Sequence, residues 1–245
     1  VPAGTEITEA MVRIQSPGQG LQPNRLQDLL GRRLPVAKAQ GDVFFPSDLE
    51  TPAATPRTYR FRQPFGLPVR YHDIKVFSKV SNLDLVEIHL SYKDLEVELD
   101  QVLPERQEIG LVVHAPELFA GDHTLDLSPG DEGYRDHSIR ELQRVIDISR
   151  DLRSRFRCPD PVLLVTNVGG FSEHRHLDRD ERHPLQQRLI ESLGRLNCGG
   201  DVEIIPQTMP PFPWHFGGQR FHNLFVDPGF IHSFCEQQGM RVCLD

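Results

Sequence analysis

Gly110-Leu-Val-Val-His-Ala-Pro-Glu117 is the stretch on which the reading of this chain turns. Its centre is apolar and β-branched on successive positions. A strand buried on both faces needs that pattern. Its end is a histidine. Segments of the same form recur at Leu67–Tyr71, Leu85–Leu90, Val162–Asn167, Val202–Gln207 and Met240–Leu244.

Helical patterns separate these strands. Over 138–156, Ile139, Leu142, Val145, Ile146, Ile148 and Leu152 fall mostly on one stripe, and Ser138 with Glu141 forms a capping-box signature. Pro184 suits a first-turn position, with Leu185, Leu189, Ile190, Leu193 and Leu196 following at helical spacing. A weaker helix is expected over 222–238. Alternating strands and helices mean a parallel sheet, open or closed. No GxGxxG follows the first strand and no GxxxxGK[ST] occurs, so the nucleotide-binding open sheets lose ground. The expectation is an α/β fold, a partial (β/α)8 TIM barrel over 60–245. Six strands are counted where eight are needed, and the chain stops at the end of one. With Val1 rather than Met at its start, it is expected to be a piece of a longer polypeptide.

In a parallel barrel, chemistry sits where strands run out into loops. Those positions hold Tyr71-His72-Asp73, Glu87 and His89 with Ser91-Tyr92-Lys93, His114 with Glu117, Asn167-Val-Gly-Gly170, Gln207 and Asp245. Glu87 stands inside an apolar strand, where an inward carboxylate needs a partner. Glu87 or His89 is the candidate base. His114 and Asp245 have metal-ligand chemistry, with Glu117 in reserve. His72, Asn167 and Gln207 suit sugar hydroxyls. The loop 210–219 holds the only Trp, Trp214, beside His215, and an aromatic face packs on a sugar ring. The plainer alternatives are packing histidines, an outward Glu87, a chain-end Asp245 in solvent and a loop that binds nothing.

Residues 1–50 read as a separate module too small for a large core. Ser16-Pro-Gly-Gln-Gly-Leu-Gln-Pro23 is loop chemistry. Asn24 can cap a short helix through Leu26, Leu29 and Leu30, closed by Gly31. Ala39-Gln-Gly-Asp reads as a turn and Val43-Phe-Phe as a short strand. Residues 51–59, rich in proline and small residues, read as a linker.

The chain has 245 residues, 38% of them hydrophobic, and a net charge of −8. That charge disfavours nucleic acid as a partner. Arg150, Arg153, Arg155 and Arg157 read as a solvated helix end. No run approaches the ~18 apolar residues of a membrane span. Cys158, Cys198, Cys235 and Cys243 form no CxxC pair, which fits free thiols in a reduced, cytoplasmic protein, with Cys243 in the core.

Two resemblances follow. Ala3-Gly-Thr-Glu-Ile-Thr8, Ser16-Pro-Gly-Gln-Gly-Leu-Gln-Pro23, Leu29-Leu-Gly-Arg-Arg-Leu34 and Gly41-Asp-Val with Asp48-Leu49 resemble the SAF (antifreeze-like) domain of N-acetylneuraminate (sialic acid) synthases. That likeness implies a small β-clip. The family usually has a basic residue before Pro-Gly, helping to close a synthase site on a neighbouring subunit; here it is Ser16. Val112-Val-His-Ala-Pro-Glu117, Asn167-Val-Gly-Gly170, Glu203-Ile-Ile-Pro-Gln207 and Gly239-Met-Arg-Val-Cys-Leu-Asp245 resemble the xylose-isomerase-like barrels, which include sugar-phosphate isomerases and epimerases and endonuclease IV. This second likeness implies a divalent metal (Zn, Mn or Co) on His114 and Asp245. Asn167 stands where the family often has His, and Gln207 where it typically has a ligating Glu.

Together the resemblances imply part of a synthase-like polypeptide of amino-sugar or nonulosonic-acid biosynthesis. The partners they imply are a sugar or amino-sugar substrate, a synthase barrel elsewhere in the polypeptide, and a second copy in a homodimer. Sugar isomerisation or epimerisation is the first functional expectation. A metal-free barrel that binds sugar or braces the assembly is the second. DNA repair is disfavoured by the charge and the missing ligands.

Overall fold

The computed structural model describes residues 1–15, 20–49, 58–158, 160–213 and 220–245. The chain divides into two compact units, Val1–Arg57 and Thr58–Asp245.

The first unit is built on backbone pairing more than on regular elements. Gly4 and Ile7 donate to the carbonyls of Leu34 and Arg32, and Leu34 donates back to Thr5. Ile7, Leu29, Leu34 and Leu49 form its small core. The α-helical turn among its described residues, α1, is Leu26–Leu29, entered through a 3₁₀ turn at Pro23–Arg25. Asn24 lies inside that turn and caps nothing; Gly31 follows at φ +79. Val43–Phe45 is not a strand: the Phe44 carbonyl accepts one bond, from Leu21.

The second unit runs β1 (Gly66–Val69), α2 (Ile74–Val80), β2 (Leu85–His89), α3 (Leu99–Val102), β3 (Gly110–His114), β4 (Leu118–Phe119), β5 (His123–Thr124), α4 (Glu132–Ser154), β6 (Val162–Thr166), β7 (Phe171–Ser172), α5 (Arg179–Gly194), β8 (Val202–Pro206), β9 (Phe221–His222) and α6 (Pro228–Gln238). The main sheet has the order β1-β2-β3-β6-β8, and every neighbouring pair is parallel. Each of these strands lies beside the one before it in the chain. A doubly wound sheet reverses direction at a switch point. This one does not, so the unit is a partial (β/α)8 barrel.

The sheet has two unlike faces. Val86 and Ile88, with Leu111 and Val113, are buried in the main core. Glu87, His89, Val112 and His114 alternate with them and are half-buried. The expected burial on both faces fails in β2 and β3, where the polar residues occupy one face, and holds at the ends of β6 and β8, whose last three residues are all buried.

Helix boundaries depart from the sequence reading in instructive ways. Helix α4 begins six residues before Ser138, at Glu132, with Asp131 capping the Tyr134 amide at 2.9 Å. Ser138 is buried inside the helix instead. Its Oγ meets His123 Nε2 at 2.8 Å and accepts the Asp126 amide at 3.1 Å. Helix α5 begins at Arg179, where Asp178 and Glu181 form the capping box, so Pro184 lies in its interior. Asp227 caps α6, and Gly239 closes it at φ +62.

The expected sixth strand, Met240–Leu244, reduces to one parallel bridge between Cys243 and Gln207. Cys243 donates to the Pro206 carbonyl at 2.8 Å and accepts from Thr208 at 2.9 Å. The next rung would need an N–H from Pro206, and proline has none. All four cysteines are free.

Candidate functional site

Strand alternation places Glu87 and His89 on one face of β2, and parallel register sets His89 beside His114 on β3. The Glu87 carboxylate meets His89 Nε2 at 2.7 Å. The two imidazoles stack, with centroids 4.5 Å apart and planes 19° from parallel. His114 Nε2 lies 2.7 Å from Gln207 Oε1, while its Nδ1 donates to the Ala115 carbonyl at 2.9 Å. Glu87, His89, His114 and Gln207 thus form one continuous chain along the strand ends.

The electrostatics give the members distinct states. Glu87 lies below its ordinary carboxylate range. The hydrogen bond from His89 is the main cause, burial opposes it, and the charges of both histidines add to it. An ionised Glu87 holds the proton of His89 on Nε2 and leaves a lone pair on Nδ1. Carboxylate orientation of a histidine in this way is the arrangement of a general base. For His114, the Nδ1 proton is committed to Ala115. Either its ring is an imidazolium donating from both nitrogens, or the Gln207 amide turns its NH2 toward Nε2.

Asn167 is buried at the end of β6. Its Oδ1 accepts the Gly169 amide at 3.1 Å, and its Nδ2 has no partner among the described residues. Gly169 and Gly170 have φ near +80, and a Cβ on Gly169 would meet Asp126 at 2.3 Å. Asp126 Oδ1 accepts the Gly170 and Ser128 amides, both at 2.9 Å. Burial pushes the Asp126 carboxyl up, and those donors oppose it. Asp126 therefore ties the loop after β5 to the loop after β6.

The remaining expected residues are placed as follows. His72 is highly exposed and pairs with Asp73 at 3.4 Å. Glu117 is half-buried just before β4. Asp245 is exposed, and its amide donates to Thr208 Oγ1 at 3.0 Å. Trp214 and His215 lie outside the described residues. Sequence reasoning placed Cys243 in the core. Its backbone pairs with Gln207, and its thiol is pushed up by burial and then by the carboxylates of Glu87 and Asp245. The signal was available: Cys243 stands two residues before Asp245 on a strand-like segment. Asp126, which is buried, was also missed.

The donor set does not fit a resident metal. The nitrogen of His114 that would ligate faces Gln207. Among the described residues no three His, Cys, Asp or Glu side chains converge to hold an ion. No helix among them is long and apolar enough to cross a membrane.

Comparison with known proteins bears on each unit separately. Residues 1–50 match the family model of the SAF domain. No curated protein matches the chain. Among solved structures, the crystal structure of a D-tagatose 3-epimerase-like protein aligns at 18% identity with a TM-score of 0.47. The alignment covers 75% of this chain and 65% of that one, so the chain spans less than two thirds of that protein's length.

Proposed function

We propose that the barrel unit is a metal-independent proton-transfer site for a sugar or amino sugar, of isomerase or epimerase type. One observation carries the proposal: the hydrogen-bonded and stacked chain Glu87–His89–His114–Gln207 at the strand ends. His89 Nδ1 takes the proton from the carbon beside the substrate carbonyl. The C–H electrons become the C=C bond of an enediolate, and the π electrons of the carbonyl move onto its oxygen, which takes up the negative charge. Glu87 stabilises the imidazolium formed and fixes its orientation. The buried Nδ2 of Asn167 is a donor for a substrate oxygen. Return of the proton to the former carbonyl carbon, with the hydroxyl proton of the deprotonated carbon passing to the former carbonyl oxygen, completes an isomerisation. Return to the opposite face of the same carbon needs a second donor. Cys243, held protonated within electrostatic reach of Glu87, has that chemistry.

The match of residues 1–50 supports a wider reading of the polypeptide. In that reading it is of N-acetylneuraminate-synthase type, serves amino-sugar or nonulosonic-acid biosynthesis in the cytoplasm, and works with a synthase barrel and a second copy of itself.

The test is deuterium exchange. Aldoses, ketoses and 2-acetamido sugars are incubated in D2O with the full chain and chelator, and followed by proton NMR. The expected result is deuterium beside the carbonyl of one class. His89→Ala should cut the rate by about 100-fold or more. Exchange that requires added metal ends the metal-independent reading. A second reading, a sugar-binding barrel without turnover, is favoured by Gln207 covering His114. Binding of a sugar with no exchange would establish it.

A further inference from the structure

A cavity of about 490 Å3 opens between the loops that follow β1 and β2. Arg70, Tyr71, His72, Lys75, Ser91 and Asp94 line it, with Val97 and Val102 behind. Its size is that of a small-ligand site. Tyr71 lies in the turn after β1, and none of Glu87, His89, His114 and Gln207 lines the cavity. The cavity is therefore distinct from the histidine chain.

Three observations give it a ligand chemistry. First, Tyr71 is only 7% exposed, yet its hydroxyl has no partner among the described residues. A buried hydroxyl without a partner costs stability unless something else satisfies it. Burial, reinforced by the Asp94 carboxylate, pushes the phenol up, so it stays a proton donor. Second, the one carboxylate on the lining is already committed. A single oxygen of Asp94 accepts the Ser91 amide, the Ser91 hydroxyl and Arg70 Nη1. Third, the lining carries one cation beyond the one that Asp94 holds. Among the described residues Arg70 is anchored through Nη1, to Asp94 and to the His89 carbonyl, which leaves its other guanidinium N–H groups available. Lys75 is exposed and has no ion pair among the described residues. His72 adds a further imidazole.

We infer that this cavity binds an oxyanion, namely phosphate or the phosphate of a phosphomonoester, with Tyr71 and Lys75 as its principal donors. A buried neutral donor beside one committed and one free cation matches a compact anion with several acceptor oxygens. Arg70 also touches the β2 backbone at His89, so the anion is held next to the strand that carries the proposed base.

Isothermal titration of the full chain with inorganic phosphate tests the inference. Saturable binding is expected, about tenfold weaker in Tyr71→Phe and in Lys75→Met. Tyr71→Phe keeps the ring and removes the orphan hydroxyl. Without phosphate its Tm should therefore equal or exceed that of the wild type, which separates lost binding from lost folding. His89→Ala should bind phosphate normally. Phosphate binding alongside failure of the exchange test leaves this site standing and removes only the proton-transfer reading. Titration with a hexose phosphate separates the two sources: tighter binding assigns a phosphomonoester, equal binding the free ion, and both support the site. No saturable binding, or equal binding by the wild type and both cavity variants, overturns it.

Discussion

The Glu87–His89 contact is the residue-scale feature with the clearest consequences. The folded protein depresses the Glu87 pKa below 4.5, so the contact contributes stability above that value. The contribution fades as pH falls through the lower, folded value. Glu87→Gln should therefore cost about 1 kcal/mol in denaturant titrations at pH 7 and progressively less below pH ~4.5. An unchanged difference across that range would mean that the ionised carboxylate is not what matters. Gly169 makes a second case. Its φ is +80, and a Cβ would enter Asp126, so Gly169→Ala combines backbone strain with a clash. A loss of about 2 kcal/mol or more is expected in the same titrations. Both residues were visible in the sequence as strand-end chemistry. Their partners were harder to see. The pairing of Glu87 with His89 follows from i,i+2 spacing on a strand, whereas Gln207 meets His114 across 93 positions. Asp126 lies in a loop with no periodicity, and only the fold brings it to Gly170.

Elements were legible where periodicity is strong and misplaced where a cap competed with it. Ser138 and Glu141 have the spacing of a capping box, but the helix already runs through them, because Asp131 supplies an earlier cap. Residues 132–137 carry no apolar stripe to announce that extra turn. Pro184 misled in the same way. It is a good first-turn residue, yet the Asp178–Glu181 box starts α5 upstream and leaves the proline with no N–H to give the preceding turn. Pro184→Ala should accordingly raise stability by about 1–3 kcal/mol, read as a higher Tm. A lower Tm would mean that the helix starts at the proline after all. The lost sixth strand follows the same logic, since Pro206 withholds the donor that a second rung would need.

At the scale of the molecule, sequential parallel order could be expected because successive apolar strands are separated by connections long enough to cross back over the sheet, the later ones carrying clear helical patterns. The difference between the two sheet faces could not. Apolar runs such as Leu111-Val112-Val113 read alike on both sides, and only the packed helices decide which side is buried. That asymmetry leaves the face of Glu87, His89 and His114 open to a ligand. It also bears on metal dependence. An ion that binds the folded chain alone adds stability in proportion to the logarithm of its concentration over its Kd. With Gln207 against His114 and no three ligands converging among the described residues, no such linkage is expected. Elemental mass spectrometry of the full chain purified without chelator should give well under one Zn, Mn or Co per molecule. Chelator should then leave Tm unchanged, and His114→Ala should lower Tm equally with and without it. A stoichiometric metal that chelator removes with a fall in Tm, and that His114→Ala abolishes, would show that Gln207 moves aside. The proton-transfer step would then have to be rebuilt around the ion.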